Sequence, residues 1–139
     1  MEEPTPNTLK VRQNRFLSSG TANPEEDTTI WWIPLSIDLG PNIKSDLVTA
    51  VLTEREMQLR LPDGNDFYQL NARRTGVFRV KYTPERLSKL GQAVKEGLLE
   101  TSDRIGVIAD TGALASSGFG KTSSLLGFIK EFENEKQYM

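Results

Sequence analysis

Residues 71–90, NARRTGVFRVKYTPERLSKL, constrain the fold more than any other stretch, because the hydrophobic period changes inside them. Phe78, Val80 and Tyr82 recur at every second position with Arg79 and Lys81 between them, the pattern of a strand with one buried face. Thr83-Pro84-Glu85 follows at once. Threonine offers an N-cap oxygen, proline suits the first helical position, and glutamate favours the positive end of the helix dipole. The spacing then turns helical through Leu87, Leu90, Val94 and Leu98. A strand is thus expected to pass into a helix without a linker. Just upstream, Arg74-Thr75-Gly76 is expected to turn the backbone, since glycine tolerates positive φ.

Everything before this point reads as β. Leu9, Val11 and Gln13 alternate, and Phe16 falls out of phase, so a strand over 9–17 should break near Asn14. Residues 18–28 form a loop, with Glu25-Glu26-Asp27 as a solvated tip. The spacing over 29–38 predicts the strongest strand, with Trp31, Ile33, Leu35 and Ile37 facing the core and Trp32 pointing away. Pro34 suggests an edge position there. After a Gly-Pro-Asn loop, two short strands are expected over 48–53 and 56–61, with Met57, Leu59 and Leu61 inward. Pro62-Asp63-Gly64-Asn65-Asp66 is a turn signal, and residues 67–72 are expected to pair with 77–82 as a closing hairpin. Lys10, Arg12 and Arg15 read as charges protecting a sheet edge.

Everything after it reads as α. The first helix should run from Pro84 to about Leu99, weakened by Gly91 and Gly97. The second should start at Thr101-Ser102-Asp103, capped by Thr101 or Ser102, bury Ile105, Ile108, Gly112 and Ala115, and end at Gly118. The third should start near Lys121-Thr122-Ser123 and bury Leu125, Leu126, Ile129 and Phe132, with 133–139 frayed. The fold class is therefore mixed β then α: a small antiparallel β-sandwich over 9–82, three antiparallel helices over 83–139 opening a solenoid-like domain, and a disordered lead-in over 1–8. Three such helices leave an apolar face uncovered, so the chain is expected to be a slice of something longer.

Composition excludes more than it suggests. The chain of 139 residues has neither histidine nor cysteine. It has no thiolate or imidazole for a zinc site, no thiol nucleophile, and no imidazole for a serine triad. Seventeen basic and nineteen acidic residues give a net charge of −2, which does not mark a nucleic-acid or anionic-membrane surface. No apolar run approaches membrane-spanning length, and MEEPTPNT does not read as a targeting segment. Gly118-Phe119-Gly120-Lys121-Thr122 imitates a phosphate loop, but Ala115 stands where that motif needs glycine, and a helix–helix turn is the better reading. Asp103, Arg104 and Asp110 on the second helix could serve chemistry only if Asp110 lay in a cleft with a raised pKa. The structural alternative, Asp103 supporting the helix start and Arg104 in an ion pair, is preferred.

Asn71, Gly76, Arg79, Val80 and Tyr82, spaced N-x-x-x-x-G-x-x-R-V-x-Y, resemble the end of the β-sandwich domain of the zinc aminopeptidases of the alanyl, puromycin-sensitive and endoplasmic-reticulum type. VRQNRFLSSG (11–20) and EEDTTIWWIPLSI (25–37) resemble the first two strands of that sandwich, and TSDRIGVIADTGALASSG (101–118) resembles the second helix of the domain behind it, with Asp103-Arg104 as a structural pair. The resemblance, closest in character to fungal cytosolic alanine/arginine-type enzymes, covers nearly the whole chain after Thr8. It implies a non-catalytic segment of a zinc-dependent enzyme that removes N-terminal residues from peptides. It also implies no catalytic, cofactor or metal residue in this chain, zinc only in the parent enzyme, and a cytoplasmic location. The implied partners are the parent's catalytic domain and remaining helices, with peptide substrate bound only by the intact enzyme. Tyr82 is expected to pack at the junction with the first helix, and Arg79 to bridge to a carboxylate there. The competing readings are a free-standing β-sandwich interaction module with a helical appendage and, far behind, a nucleotide-binding protein.

Overall fold

The computed structural model describes residues 2–5, 7–40, 48–63, 67–133, 135 and 136. Residues 41–47 of the Gly-Pro-Asn loop, the Gly64–Asp66 part of the expected turn and residues 137–139 lie outside the described residues. The order is β then α. Strands β1 (Glu2–Thr5), β2 (Thr8–Arg12), β3 (Phe16–Leu17), β4 (Gly20–Thr21), β5 (Ile33–Asp38), β6 (Val48–Leu52), β7 (Glu56–Arg60) and β8 (Gln69–Leu70) precede helices α1 (Pro84–Lys95), α2 (Thr101–Ser116) and α3 (Thr122–Ile129).

The strands form a sheet ordered β1-β2-β7, a sheet ordered β6-β5-β8 and the small β3-β4 pair, all antiparallel. Consecutive strands β6 and β7 belong to different sheets, so residues 53–55 cross from one layer to the other. The layers enclose Leu9 and Val11 of β2, Leu35 and Ile37 of β5, and Leu52, Leu61, Tyr68, Leu70 and Val80. Gln13 joins the layers where β2 ends. Its side-chain amide accepts from Trp31 N (2.8 Å) and donates to the carbonyls of Trp31 (3.0 Å) and Glu54 (2.8 Å).

Several expectations change. Residues 2–5, expected to be a lead-in, form β1. β2 is therefore an inner strand, and Lys10 and Arg12 pair with Glu56 across the ladder instead of guarding an edge. Trp31 is 40% exposed, because β5 begins only at Ile33 and Gln13 holds the chain before it. Asp27 is drawn out of the loop tip into an ion pair with Arg55 at 3.3 Å. The hairpin between 67–72 and 77–82 does not form: β8 pairs with β5, Leu70 facing Ile37, and residues 77–82 join no ladder.

In the helical half, Thr83 caps α1 as its sequence demands, Oγ1 accepting from Arg86 N at 3.2 Å. α1 stops at Lys95 rather than near Leu99. Gly97 adopts φ 71°, and Leu98 N donates to Ala93 O (2.9 Å) and Gly97 N to Val94 O (3.0 Å), the Schellman closure that glycine allows. α2 begins after Glu100 with no side-chain cap, and α3 after Lys121 likewise, so neither Thr101, Ser102 nor the Thr122-Ser123 pair caps. α3 packs against both other helices. The helical core is Leu87, Leu90, Ala93 and Val94 of α1, with Phe67, Leu99, Val107 and Phe128. Phe128, not Leu126 or Ile129, is the buried anchor of α3.

Candidate functional site

α2 turns a polar face inward. Its buried residues are Asp103, Gly106, Val107, Asp110 and Leu114, whereas Ile105, expected inside, is exposed. A buried carboxylate is costly unless hydrogen bonds surround it, so the partners of these two aspartates define the site. Both reach back to the segment between β8 and α1.

Asn71 shapes that segment from within. It is fully buried, its Oδ1 accepts from Gly76 N (2.7 Å), and its Nδ2 donates to the carbonyls of Gly76 (2.9 Å) and Phe78 (3.2 Å). The backbone reverses through left-handed conformations at Asn71 (φ 57°), Arg73 (φ 58°) and Arg74 (φ 54°), around a single 3-10 turn at Ala72–Arg74. Gly76 is not among the positive-φ residues, so its expected role changes: a Cβ there would stand 2.3 Å from the Phe78 ring, and the missing side chain makes room.

The reversed loop presents its donors to α2. Arg73 N donates to Asp103 Oδ1 at 2.8 Å. The Arg74 guanidinium straddles Asp110, Nη1 to Oδ2 at 3.0 Å and Nη2 to Oδ1 at 3.3 Å, and Val80 N donates to the same Oδ2 at 3.1 Å. Gly106 sits beneath this arm, where a Cβ would come within 2.3 Å of Arg74 Cδ. Burial raises the Asp103 carboxyl above its ordinary value, against the lowering effect of the Arg73 backbone N–H and the Gln69 side chain. Gln69 Oε1, close by, is buried without a partner among the described residues.

Tyr82 and Arg104 secure the flanks. The Tyr82 hydroxyl bridges the backbone of Leu70, accepting from its N–H (3.0 Å) and donating to its carbonyl (3.3 Å), and burial pushes the phenol pKa upward. It ties residues 77–82 to β8 by a side chain where a ladder was expected. Arg104 donates to Leu99 O (2.7 Å) and Thr101 Oγ1 (3.1 Å) and pairs with Glu135 at 2.8 Å. Arg79 departs from its expected bridge to a carboxylate: its guanidinium lies 4.4 Å from the centroid of the Phe16 ring. Val80 is buried in the sandwich core. Asn71, Gly76, Val80, Tyr82 and Asp103 are thus brought together at the seam between sheet and helices, with Arg79 on its outer side, whereas Arg104 stays within the helical half, on Leu99, Thr101 and Glu135. Arg73, Arg74, Gly106 and Asp110 complete the seam. Reasoning from sequence missed Arg73, Arg74 and Gly106, although Asp110 had been singled out. The available signal was two aspartates seven residues apart on one helix, a spacing that puts both on the same face.

The donors fit no catalytic metal. The chain has no histidine or cysteine, and no group of three or more metal-ligating side chains occurs among the described residues. Asp103 and Asp110 are engaged by the loop instead. The phosphate-loop imitation is a helix junction: Gly118 takes φ 77° after α2, and Gly120 N donates to Leu114 O at 2.8 Å. No described helix is long and apolar enough to cross a membrane.

Comparison with known proteins converges on the same region. The chain is 40% identical to aminopeptidase 2 of Candida albicans over 131 residues, 94% of this chain and 14% of that protein. It is 34% identical to the alanine/arginine aminopeptidase of Saccharomyces cerevisiae over 133 residues, 96% of this chain and 15% of that protein. With the puromycin-sensitive aminopeptidase of Caenorhabditis elegans it shares 26% over 134 residues, 94% of this chain and 14% of that protein. The chain thus spans about one-seventh of the length of these relatives. A family model described as the ERAP1-like C-terminal domain matches residues 67–139, which takes in β8, the seam and all three helices. With that match over more than half its length, the chain belongs to the ERAP1-like C-terminal domain family of the aminopeptidases.

Proposed function

We propose that these residues are a non-catalytic scaffold of a zinc-dependent aminopeptidase, holding its catalytic domain and the rest of its helical domain in fixed relation. The observation that carries this reading is the seam. Two buried aspartates of α2 fix the loop leaving the sandwich by directed hydrogen bonds, which specify an angle between the halves as apolar contact alone does not. The family match and the aminopeptidase relatives supply the class of enzyme. With no histidine or cysteine here, the zinc-activated water that cleaves an N-terminal residue belongs to residues outside this stretch. The partners in this reading are that catalytic domain and further helices, and peptide binds only to the intact enzyme. A cytoplasmic location belongs to the same proposal, although one yeast relative is named as mitochondrial.

Immunoblotting of the source cell with antibodies against this segment tests the reading. A polypeptide far larger than 15.6 kDa is expected. A band at 15.6 kDa would overturn it in favour of a free-standing interaction module. The purified 139-residue chain should also leave alanine and arginine naphthylamides uncleaved, and chelator-sensitive hydrolysis would sink the proposal.

A further inference from the structure

A cleft of about 1090 Å³ opens between the start of β5 and residues 77–83. Its walls are two stretches of strand-like sequence that join too few ladders. β5 pairs with β6 along Ile33–Ile37, but on its other side only Ile37 and Asp38 meet β8. Ser36 is covered by the loop, its Oγ against Ala72 O and Thr75 Oγ1. Among the described residues, that side carries no ladder from Ile33 to Leu35. Gln13 occupies the backbone of Trp31, and Trp32, 68% exposed, has no hydrogen-bond partner for its backbone among the described residues. The opposite wall, Val77–Tyr82, has a strand's alternation and no sheet, with Val77 wholly exposed.

An open edge beside aromatic surface is a template for strand addition. Of residues 29–35 only Ile33–Leu35 belong to β5, Gln13 already takes the backbone of Trp31 and Pro34 has no N–H, so the open edge is residues 32–35, roughly 14 Å at about 3.4 Å per residue. The charge around the cleft selects the occupant. Five cations line it against two carboxylates, Glu2 and Glu56, and Glu56 is already shared by Lys10 and Arg12. Arg15 and Lys81 have no ion pair among the described residues, and Arg79 rests on Phe16.

We infer that this cleft receives one further extended strand, apolar toward the cleft and acidic toward its cationic rim, supplied by the same polypeptide from outside these 139 residues. The source of the strand rests on the scaffold reading above; its chemistry rests on the cleft. The strand adds to the open edge of β5 and covers Trp31 and Trp32.

Both tryptophans of the chain line the cleft, so tryptophan fluorescence of the folded chain responds to its occupancy. The probe is an acetylated, amidated heptapeptide alternating glutamate and valine, titrated into the full 139-residue chain. A saturable blue shift and slowed hydrogen exchange in β5 are expected, with a lysine–valine heptapeptide binding at least tenfold more weakly. The double variant R79E/K81E, altered only at exposed side chains, should reverse that preference while leaving circular dichroism unchanged. Absence of a saturable shift, or equal binding of both peptides, would overturn the inference whatever the size of the native polypeptide. A shift that follows protein concentration without peptide would overturn it in favour of a second copy of the chain. Peptide binding together with a native band of 15.6 kDa would overturn the strand's source and the scaffold reading, leaving only the cleft's chemistry.

Discussion

The two halves of the molecule and the seam between them are held by different physics. The sandwich closes on Leu9, Ile37 and their aliphatic neighbours, and the helices close on Leu90, Val107 and Phe128. Both cores are non-directional and gain stability from area removed from water. The seam adds to apolar contacts of Phe67 and Tyr82 with the helical core a set of carboxylates aimed at two backbone N–H groups and one guanidinium. Apolar cores keep each half folded. Directed bonds set how the halves stand to one another, and they matter most where a small rotation would leave a buried charge unpaired.

This contrast can be broken most forcefully in a core. Leu90→Ala removes a fully buried side chain of α1 and should cost about 2–5 kcal/mol in urea unfolding, with tryptophan fluorescence and helical ellipticity still changing together. Asp110→Ala strips Arg74 and Val80 N of their acceptor. The guanidinium is one-third exposed, so the expected loss is smaller, about 2–3 kcal/mol, but the two signals should separate as the halves uncouple. Coincident transitions in Asp110→Ala would show that the seam does not couple the halves. Gly106→Ala pushes a methyl into Arg74 and should cost about 1–2 kcal/mol, and that cost should vanish in the Arg74→Ala background if the clash is its cause. Tyr82→Phe removes both bonds to Leu70 and should cost about 1 kcal/mol.

The smallest effect belongs to Asp103. Its carboxyl is raised in the folded chain, so the native state holds a proton that the unfolded state releases first. Its contribution is present below the unfolded pKa of 3.8 and is lost as pH rises through the folded value. Asp103→Asn should flatten stability over that window while keeping an acceptor for Arg73 N. A stability–pH profile unchanged by the substitution would remove Asp103 from this account.

The start of α1 was legible because its causes are local, a threonine cap and a proline at the first helical position; the strand expected to run straight into it does not form, and residues 71–83 separate β8 from α1. The buried side of α2 was not legible. A stripe search rewards Ile105 and penalises aspartate, whereas the partners that make Asp103 and Asp110 tolerable inside arrive from 30 residues upstream. The same distance hid the loop's left-handed backbone. Glycine was expected to turn the chain, yet Arg73 and Arg74 do it, under the constraint of contacts that no local propensity encodes. Residues 77–82 carried a genuine strand pattern, but a pattern names a conformation and not a partner, and Tyr82 found its partner through a hydroxyl.

The left-handed backbone at Arg73 and Arg74 also has a consequence in time. Such a conformation costs a non-glycine residue roughly 1–2 kcal/mol, and here the compensating bonds come from a helix that begins at Thr101. On the ribosome the loop is made first, when Asn71 and Ser36 can hold it but α2 does not yet exist. Arg73 and Arg74 must wait, sampling ordinary conformations, until α2 has emerged and coiled. The two arginines are therefore held in their left-handed backbone by residues translated well behind them.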